Sequence, residues 1–549
     1  MVNTSLMERL YNSYGAYSYK ALDVLFTLTK YPDGRSLHEI VFQCGYAFRF
    51  ISNLLDSFVS TGEIKKAGDI YALKSKEFSK SILLAVNKKE YHVSLENLLP
   101  IYRKIVDTFT KHKKDLDQVS VTPETLLNRV KHITSAHDLS KCKILFLGDH
   151  DFTSIALALY CKERDISPLL YVVDLDDDVL QHIEVYANRQ NLDIVTAKSD
   201  FRYHIPRYFR DSMDVVFTDP PYSPDGMDCF IRRAIEAANK SPFSIFYICY
   251  KTAETSPAVG FSVQKTLQNH KLFISSIYSN FNIYFGAEAL GYRSNLYECR
   301  ILPDAHKSVD SLLQGKRGIY THGKNSIESN AQKLDSDQIT AILKATDTSS
   351  RSIIYVCDEQ DGLFESISCT KKRITLTDFI TSQLNGTNKV ARNATHFFNL
   401  FTSSLDTTWL ITSISSLDEF LLIMPYRASK FRGIYADLLN AAYQIDVVYS
   451  SNLVSLLSIK KRNNFTNQCK AIIANMFFAN SSLIKNSFCK SASSVLGITK
   501  NEARTIFSKL DIKLLISELF LYELSSYKLC QLYEYVCSVL NSNLSSSTE

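Results

Sequence analysis

The stretch Asp214-Val215-Val216-Phe217-Thr218-Asp219-Pro220-Pro221-Tyr222 decides how this chain is read. A short apolar run of this kind makes a strand buried on both faces. The two prolines end it at once, because they fix φ and withdraw the N–H groups that a ladder needs. An acid therefore stands where the strand stops. The same arrangement recurs on either side: Lys143-Ile144-Leu145-Phe146-Leu147 runs into Gly148-Asp149-His150-Asp151, and Leu169-Leu170-Tyr171-Val172-Val173 runs into Asp174-Leu175-Asp176-Asp177-Asp178. Residues 193–197 run into Ser199-Asp200, and 243–248 supply a further strand. Helical patterns at 153–161 and 179–191 separate them. Short apolar strands alternating with helices predict a parallel sheet covered on both faces, an α/β unit over residues 141–303 with its ligands beyond the carboxyl ends of the strands.

Those strand ends are acidic. In a nucleotide or S-adenosylmethionine site, an acid after the second strand holds ribose hydroxyls and one after the third lies near the adenine, roles that Asp174 or Asp176, and then Asp200, fit. The first loop has one glycine, Gly148, and two carboxylates, Asp149 and Asp151. A donor carboxylate would be repelled there, whereas decarboxylated S-adenosylmethionine keeps the sulfonium and the amine and has lost the acid. Capping of the following helix accounts for one of the two carboxylates more readily than for both. At the tetrad, Pro220 and Pro221 fix the backbone, Asp219 can orient or deprotonate an attacking amine, and Tyr222 can stack on or bond to a cationic substrate. Glu254 and Glu288 are candidates for completing an acidic groove.

The rest of the chain sets bounds. At 549 residues and 45% hydrophobic content it holds several domains. A net charge of +5 from 62 basic and 57 acidic residues makes nucleic acid an unexpected partner. Twelve dispersed cysteines read as reduced thiols of a cytoplasmic protein. The histidines form no ligand pairs, so no metal is expected, and no window is apolar enough for a membrane span. Residues 512–524 read as a buried helix. Residues 1–75 show three helical stretches, Ser36 placed to cap the second, and a hairpin turning at Ala67-Gly68-Asp69, which predicts a winged-helix-like domain. Its third helix carries Arg49 as its single base, so packing, or a homodimer through this domain, is expected over DNA binding. Residues 76–140 are a helical connector, and the run Lys111-His112-Lys113-Lys114-Asp115 within them reads as a solvated face. Residues 304–350 are a linker. An α/β region at 351–462 shows strand-like runs at 352–356, 409–411 and 420–423, and residues 463–549 are helical. Residues 418–426 echo 214–222 without the acid of the tetrad, either a decayed second copy or chance.

From Gln118-Val119-Ser120-Val121-Thr122-Pro123-Glu124-Thr125 through Gly148-Asp149-His150-Asp151-Phe152-Thr153-Ser154, Val172-Val173-Asp174-Leu175-Asp176 and Asp219-Pro220-Pro221-Tyr222, the chain resembles the branched-chain polyamine synthases, or N(4)-bis(aminopropyl)spermidine synthases. The resemblance extends over about residues 1–303 and leaves 304–549 unmatched. It implies a winged-helix-like domain followed by a Rossmann-like class I S-adenosylmethionine-transferase domain. It also implies transfer of aminopropyl groups from decarboxylated S-adenosylmethionine to a polyamine or another amine, with release of methylthioadenosine. On that resemblance Asp149, Asp151, Asp174, Asp176 and Asp200 surround the donor and Asp219 meets the acceptor amine. His150 departs from the family, which commonly has an Asp there. Three alternatives stay open: an amino-group methyltransferase using intact S-adenosylmethionine, since D-P-P-Y also marks those enzymes; a 3-amino-3-carboxypropyl transferase; and a non-catalytic winged-helix regulator.

Overall fold

The structure is a computed structural model. It describes residues 5–90, 95–109, 113, 116–309, 319, 334–346, 352–357, 362–367, 371–384, 394–401, 410–412, 414–415, 417–426, 433–465, 467–479, 482–508 and 516–545. The amino-terminal unit comprises α1 (Leu6–Tyr14), α2 (Ser18–Thr29), β1 (Arg35–Ser36), α3 (Leu37–Cys44), α4 (Phe48–Ser60), β2 (Ile64–Ala67) and β3 (Ile70–Leu73). Ser36 caps α3 in a reciprocal box: its hydroxyl accepts the Glu39 N–H while the Glu39 carboxylate accepts the Ser36 N–H at 3.0 Å. Gly68, at φ +60°, makes the β2–β3 turn. β1 joins that hairpin as a third strand, and α1 precedes the three helices expected from sequence.

The connector helices are α5 (Lys76–Glu90), α6 (Leu99–Thr108) and α7 (Pro123–Ala136). Then follow β4 (Lys143–Leu147), α8 (Thr153–Glu163), β5 (Leu169–Asp174), α9 (Asp177–Gln190), β6 (Ile194–Lys198), β7 (Val215–Thr218), α10 (Pro224–Ala237), β8 (Ile245–Tyr250), α11 (Pro257–Asn269), β9 (Leu272–Ile283) and β10 (Arg293–Ile301). The seven strands lie in the order β6-β5-β4-β7-β8-β10-β9. β4 to β8 are parallel, as the sequence pattern predicts; β10 runs antiparallel to β8 and to β9. Strand alternation sends Ile144 and Phe146 into a core with α7, α8 and α9, and Leu145 and Leu147 into another with α10 and α11. Burying each such side chain contributes about 1.5–3 kcal/mol.

The amino-terminal unit packs at the opposite end of these strands from the acidic loops. Tyr11 donates to Asp214 Oδ2 at 2.6 Å, at the start of β7, and Phe243, just before β8, packs against Tyr14 and Tyr17.

Beyond α12 (Pro303–Val309), a second sheet is built from α13 (Ser336–Ala345), β11 (Ser352–Val356), α14 (Gly362–Ser366), β12 (Lys371–Ile374), α15 (Leu376–Leu384), β13 (Ala394–Asn399), β14 (Glu419–Pro425), α16 (Gly433–Ala442), β15 (Tyr443–Ser450) and β16 (Val454–Lys461), in the order β12-β11-β13-β14-β16-β15. The expected strands at 352–356 and 420–423 are present, but residues 410–412 are helical, and Trp409 lies outside the described residues. Apolar runs of three do not distinguish strand from helix. Helices α17 (Gln468–Phe478), α18 (Ile484–Leu496), α19 (Lys500–Ser508) and α20 (Ser526–Ser545) close the chain. In place of the single helix expected at 512–524, the described part forms two 3-10 turns, Ile516–Glu518 and Leu521–Glu523. The Glu523 carboxylate turns back to accept the Phe520 N–H at 2.9 Å, which fits a short turn and not a continuing helix. No described helix is long and apolar enough to cross a membrane.

Candidate active site

Asp219 follows the last residue of β7, and three donors converge on it. Its Oδ2 accepts from Arg129 Nη2 at 2.8 Å and from the Tyr284 hydroxyl at 2.7 Å; its Oδ1 accepts from the Tyr222 hydroxyl at 3.0 Å. A carboxylate has about four lone-pair positions, so among the described contacts one remains, on Oδ1. Burial pushes the Asp219 pKa up, the Arg129 guanidinium pulls against that, and Asp151 adds to the rise.

Arg129, 1% exposed on α7, ties the strand ends together. Besides Asp219 it donates to Asp151 Oδ2 at 2.9 Å, Thr153 Oγ1 at 3.1 Å and Asn282 Oδ1 at 2.9 Å. Sequence reading missed it. The available signal was a charge three residues after Leu126 and four before Ile133, on the face that the apolar pattern assigns to the core. Tyr284 was also missed, because it lies at the end of a strand pattern that is half exposed; Ser294 shares its hydroxyl at 2.7 Å.

The two acids of the first loop do different work. Asp149 caps α8, accepting the Thr153 and Ser154 N–H groups at 2.9 and 3.0 Å, so the helix-cap reading holds for this residue. Asp151 does not cap; it accepts the Val121 N–H at 3.1 Å and pairs with Arg129. Burial pushes the Asp149 carboxyl up to about 7. His150 Nε2 lies 2.8 Å from the Val119 carbonyl and 3.3 Å from Asp151 Oδ1. Burial disfavours its proton, but Asp151 and that carbonyl outweigh burial and raise its pKa. The Arg129 guanidinium faces the carboxylates, and His150 beside them is shifted toward its protonated form, so the loop is less negative than its sequence alone suggests. Gly148 has φ +72°, a conformation that suits glycine.

Asp174, the last residue of β5, accepts the Asp149 N–H at 3.0 Å and the Asp176 N–H at 2.8 Å, which joins the first two loops. Burial first, and then Asp176, push its carboxyl up to about 6. Asp176, offered with it for the ribose, is engaged elsewhere: it caps α9, and its oxygens take Lys113 Nζ at 2.5 Å and Gln118 Nε2 at 2.7 Å. Lys113 is therefore an ion-pair partner and not part of a solvated face; residues 111, 112, 114 and 115 of that run lie outside the described residues. Asp200 is buried and forked by Arg202, whose Nη2 approaches at 2.6 Å. Pro220, the second residue of the tetrad, is buried. Glu254 is 81% exposed and pairs with Lys251 at 3.3 Å, and Glu288 is exposed in a 3-10 turn. Among the described residues neither bonds to the Asp219 cluster, and the candidate residues that the structure brings together are Asp149, Asp151, Asp174, Asp219 and Tyr222 with Arg129 and Tyr284.

Residues 97–315 match the family model described as the branched-chain polyamine synthase A C-terminal domain. The chain is 36% identical over 188 residues to an uncharacterized protein of Methanocaldococcus jannaschii, covering 34% of this chain and 44% of that one. It is 32% identical over 225 residues to the N(4)-bis(aminopropyl)spermidine synthase of the same organism, covering 40% and 61%. It therefore spans about half the length of these relatives. A crystal structure of the Thermus thermophilus branched-chain polyamine synthase C9 mutein, in complex with N4-aminopropylspermidine and 5'-methylthioadenosine, aligns with 54% of this chain and 91% of its own at a TM-score of 0.34 and 20% identity. What this chain shares with the branched-chain polyamine synthases is the segment 97–315, which contains Arg129, the acidic strand ends, the tetrad and Tyr284; residues 1–96 and 316–549 lie outside the match to the family model.

Proposed function

We propose that the chain is an aminopropyltransferase that moves the aminopropyl group of decarboxylated S-adenosylmethionine to an amine acceptor, a polyamine such as spermidine or an amine-bearing natural product. The observation that carries this reading is the Asp219 carboxylate, held by Arg129, Tyr222 and Tyr284 at the end of β7 with one acceptor position remaining on Oδ1, inside the segment that matches the synthase family. The acceptor nitrogen attacks the carbon beside the sulfonium, a C–N bond forms, and the C–S bond breaks. Its electron pair returns to sulfur to give methylthioadenosine, and the nitrogen sheds its proton toward Asp219 Oδ1. Asp174, and Asp200 with its Arg202, take the ribose and adenine ends of the donor; Gly148, Asp149 and Asp151 flank its propylamine. Tyr222 lies against the acceptor, and Glu254 and Glu288 draw polyamine nitrogens from the surface.

The amino-terminal unit is read as winged-helix-like, with a packing or dimerising role. It sits at the other end of the sheet from Asp219, and none of its described residues reaches the Asp219 cluster.

A second reading has one specific observation behind it. Arg129 and His150 beside the first loop soften its repulsion of a donor carboxylate, which favours intact S-adenosylmethionine and 3-amino-3-carboxypropyl transfer. Incubating the protein with spermidine and each donor, then weighing the products, separates the two. A gain of one aminopropyl unit and methylthioadenosine from the decarboxylated donor alone is expected. Products only from the intact donor would replace the first reading with the second or with methyl transfer.

A further inference from the structure

The second sheet repeats the first with one strand removed. Deleting β6 from the seven-stranded order leaves β5-β4-β7-β8-β10-β9, and the six-stranded order β12-β11-β13-β14-β16-β15 matches it position by position, in the same chain order. Directions match as well: four parallel strands, then an antiparallel pair. So do the helices, with α13 before β11 as α7 is before β4, and α16 between β14 and β15 as α11 is between β8 and β9. In this superposition of topologies β14 corresponds to β8, so the echo of 214–222 in 418–426 falls one strand away from β7.

The register then locates what the second unit has in place of the first unit's acids. Leu147 pairs with Thr218, and Val356 pairs with Phe398, so the residue after Thr218, Asp219, corresponds to Asn399. Leu147 also pairs with Val173, and Val356 with Ile374, so Asp174 corresponds to Thr375. An amide neither takes a proton nor pairs with a cation. The Asn399 side chain donates to the Tyr355 hydroxyl at 3.0 Å and accepts the Phe401 N–H at 3.0 Å, which are structural bonds.

The second unit nevertheless reaches the first. Tyr435 on α16 donates to Asp177 Oδ1 at 3.0 Å and accepts from Lys198 Nζ at 2.9 Å. Asp177 is three residues past Asp174, and Lys198 ends β6 two residues before Asp200. From the helical tail, the Ser526 N–H donates to Asp177 Oδ1 at 2.8 Å and its hydroxyl donates to Asp177 Oδ2. Glu523 lies 3.7 Å from His204. Buried Lys528 donates to the Thr196 carbonyl at 2.7 Å beside Glu184. The two loops assigned to the donor's nucleoside are thus held from outside by residues that the family match does not include.

We propose that residues 352–461 are a second copy of the transferase fold that has lost its chemistry and acts in cis as a positioning partner. In this role Tyr435, backed by Ser526, fixes Asp177 and Lys198 and so sets the placement of the loops carrying Asp174 and Asp200. The proposal rests on the donor reading above. The test uses the full chain carrying Tyr435→Phe, which keeps the ring and removes both hydroxyl bonds, and Asn399→Ala in the second unit. Tyr435→Phe is expected to weaken 5'-methylthioadenosine binding and to raise the donor KM by about five- to tenfold, with kcat within twofold, and to speed amide exchange at 174–178 and 198–204. Asn399→Ala is expected to leave kcat and KM within twofold. Unchanged exchange and binding in Tyr435→Phe, or lost turnover in Asn399→Ala, would overturn the proposal. A wild-type protein that binds no methylthioadenosine would instead remove the donor reading, while the exchange measurement would still decide whether Tyr435 holds these loops.

Discussion

Replacing Arg129 with Met keeps most of the buried stem and removes the fork. The guanidinium is 1% exposed and serves two carboxylates at once, Asp151 at 2.9 Å and Asp219 at 2.8 Å. Removing one partner of a buried ion pair costs about 3–5 kcal/mol, and because Arg129 serves two carboxylates the upper end applies, about 5 kcal/mol. At roughly 2–4 °C per kcal/mol, the melting temperature at pH 8 should fall by about 10–20 °C. The deficit should depend on pH. Stripped of this cation, Asp219, which burial already pushes up, moves further above the unfolded value of about 3.9. Such groups destabilise the fold increasingly as pH rises from the unfolded pKa to the folded one, and cost nothing when both states are protonated. Differential scanning fluorimetry of wild type and Arg129→Met at pH 5 and pH 8 should therefore show a smaller gap at pH 5. An equal gap at both values would refute charge pairing as the contribution of Arg129 and leave only packing.

Asp219→Asn should lower kcat by about 10²- to 10⁴-fold, the range of a lost proton acceptor, while 5'-methylthioadenosine still binds; turnover within twofold of wild type would remove Asp219 from its role. Tyr284→Phe withdraws a donor from Asp219 Oδ2 and so raises the pKa of that carboxyl, moving the acid limb of the kcat profile to higher pH; an unmoved limb would separate Tyr284 from the chemistry. With the Asp149 carboxyl at about 7, affinity for the cationic donor should rise by about tenfold between pH 6 and pH 8, and calorimetry on Asp149→Asn should find that slope gone. The same group, raised above its unfolded pKa, weakens the fold as pH climbs from about 4 toward 7, so Asp149→Asn should also flatten stability over that window.

The sheet and its acidic edge were legible because both are local. Two-sided strands write themselves as apolar runs, and residues that end a strand sit beside it in the chain, so position alone puts Asp149, Asp174 and Asp219 at strand ends. The hairpin β9–β10 was not read, because one of its strands is at a sheet edge and half exposed, which blurs the apolar alternation. Asp174 and Asp176 read alike in sequence because both follow one strand, while the bonds that distinguish them, those of Asp176 to Gln118 and Lys113, come from about 60 residues earlier.

By itself, the sequence determined the α/β class of 141–303, the strand ends at which acids collect, and the tetrad that follows β7, since each depends on neighbours within a few residues. The tertiary structure decided what those acids face. Arg129 reaches Asp219 across 90 positions, Tyr284 across 65, and Tyr435 reaches Asp177 across 258. The charge state of a buried carboxylate depends on such partners and on loss of water, and neither is encoded in the residues beside it.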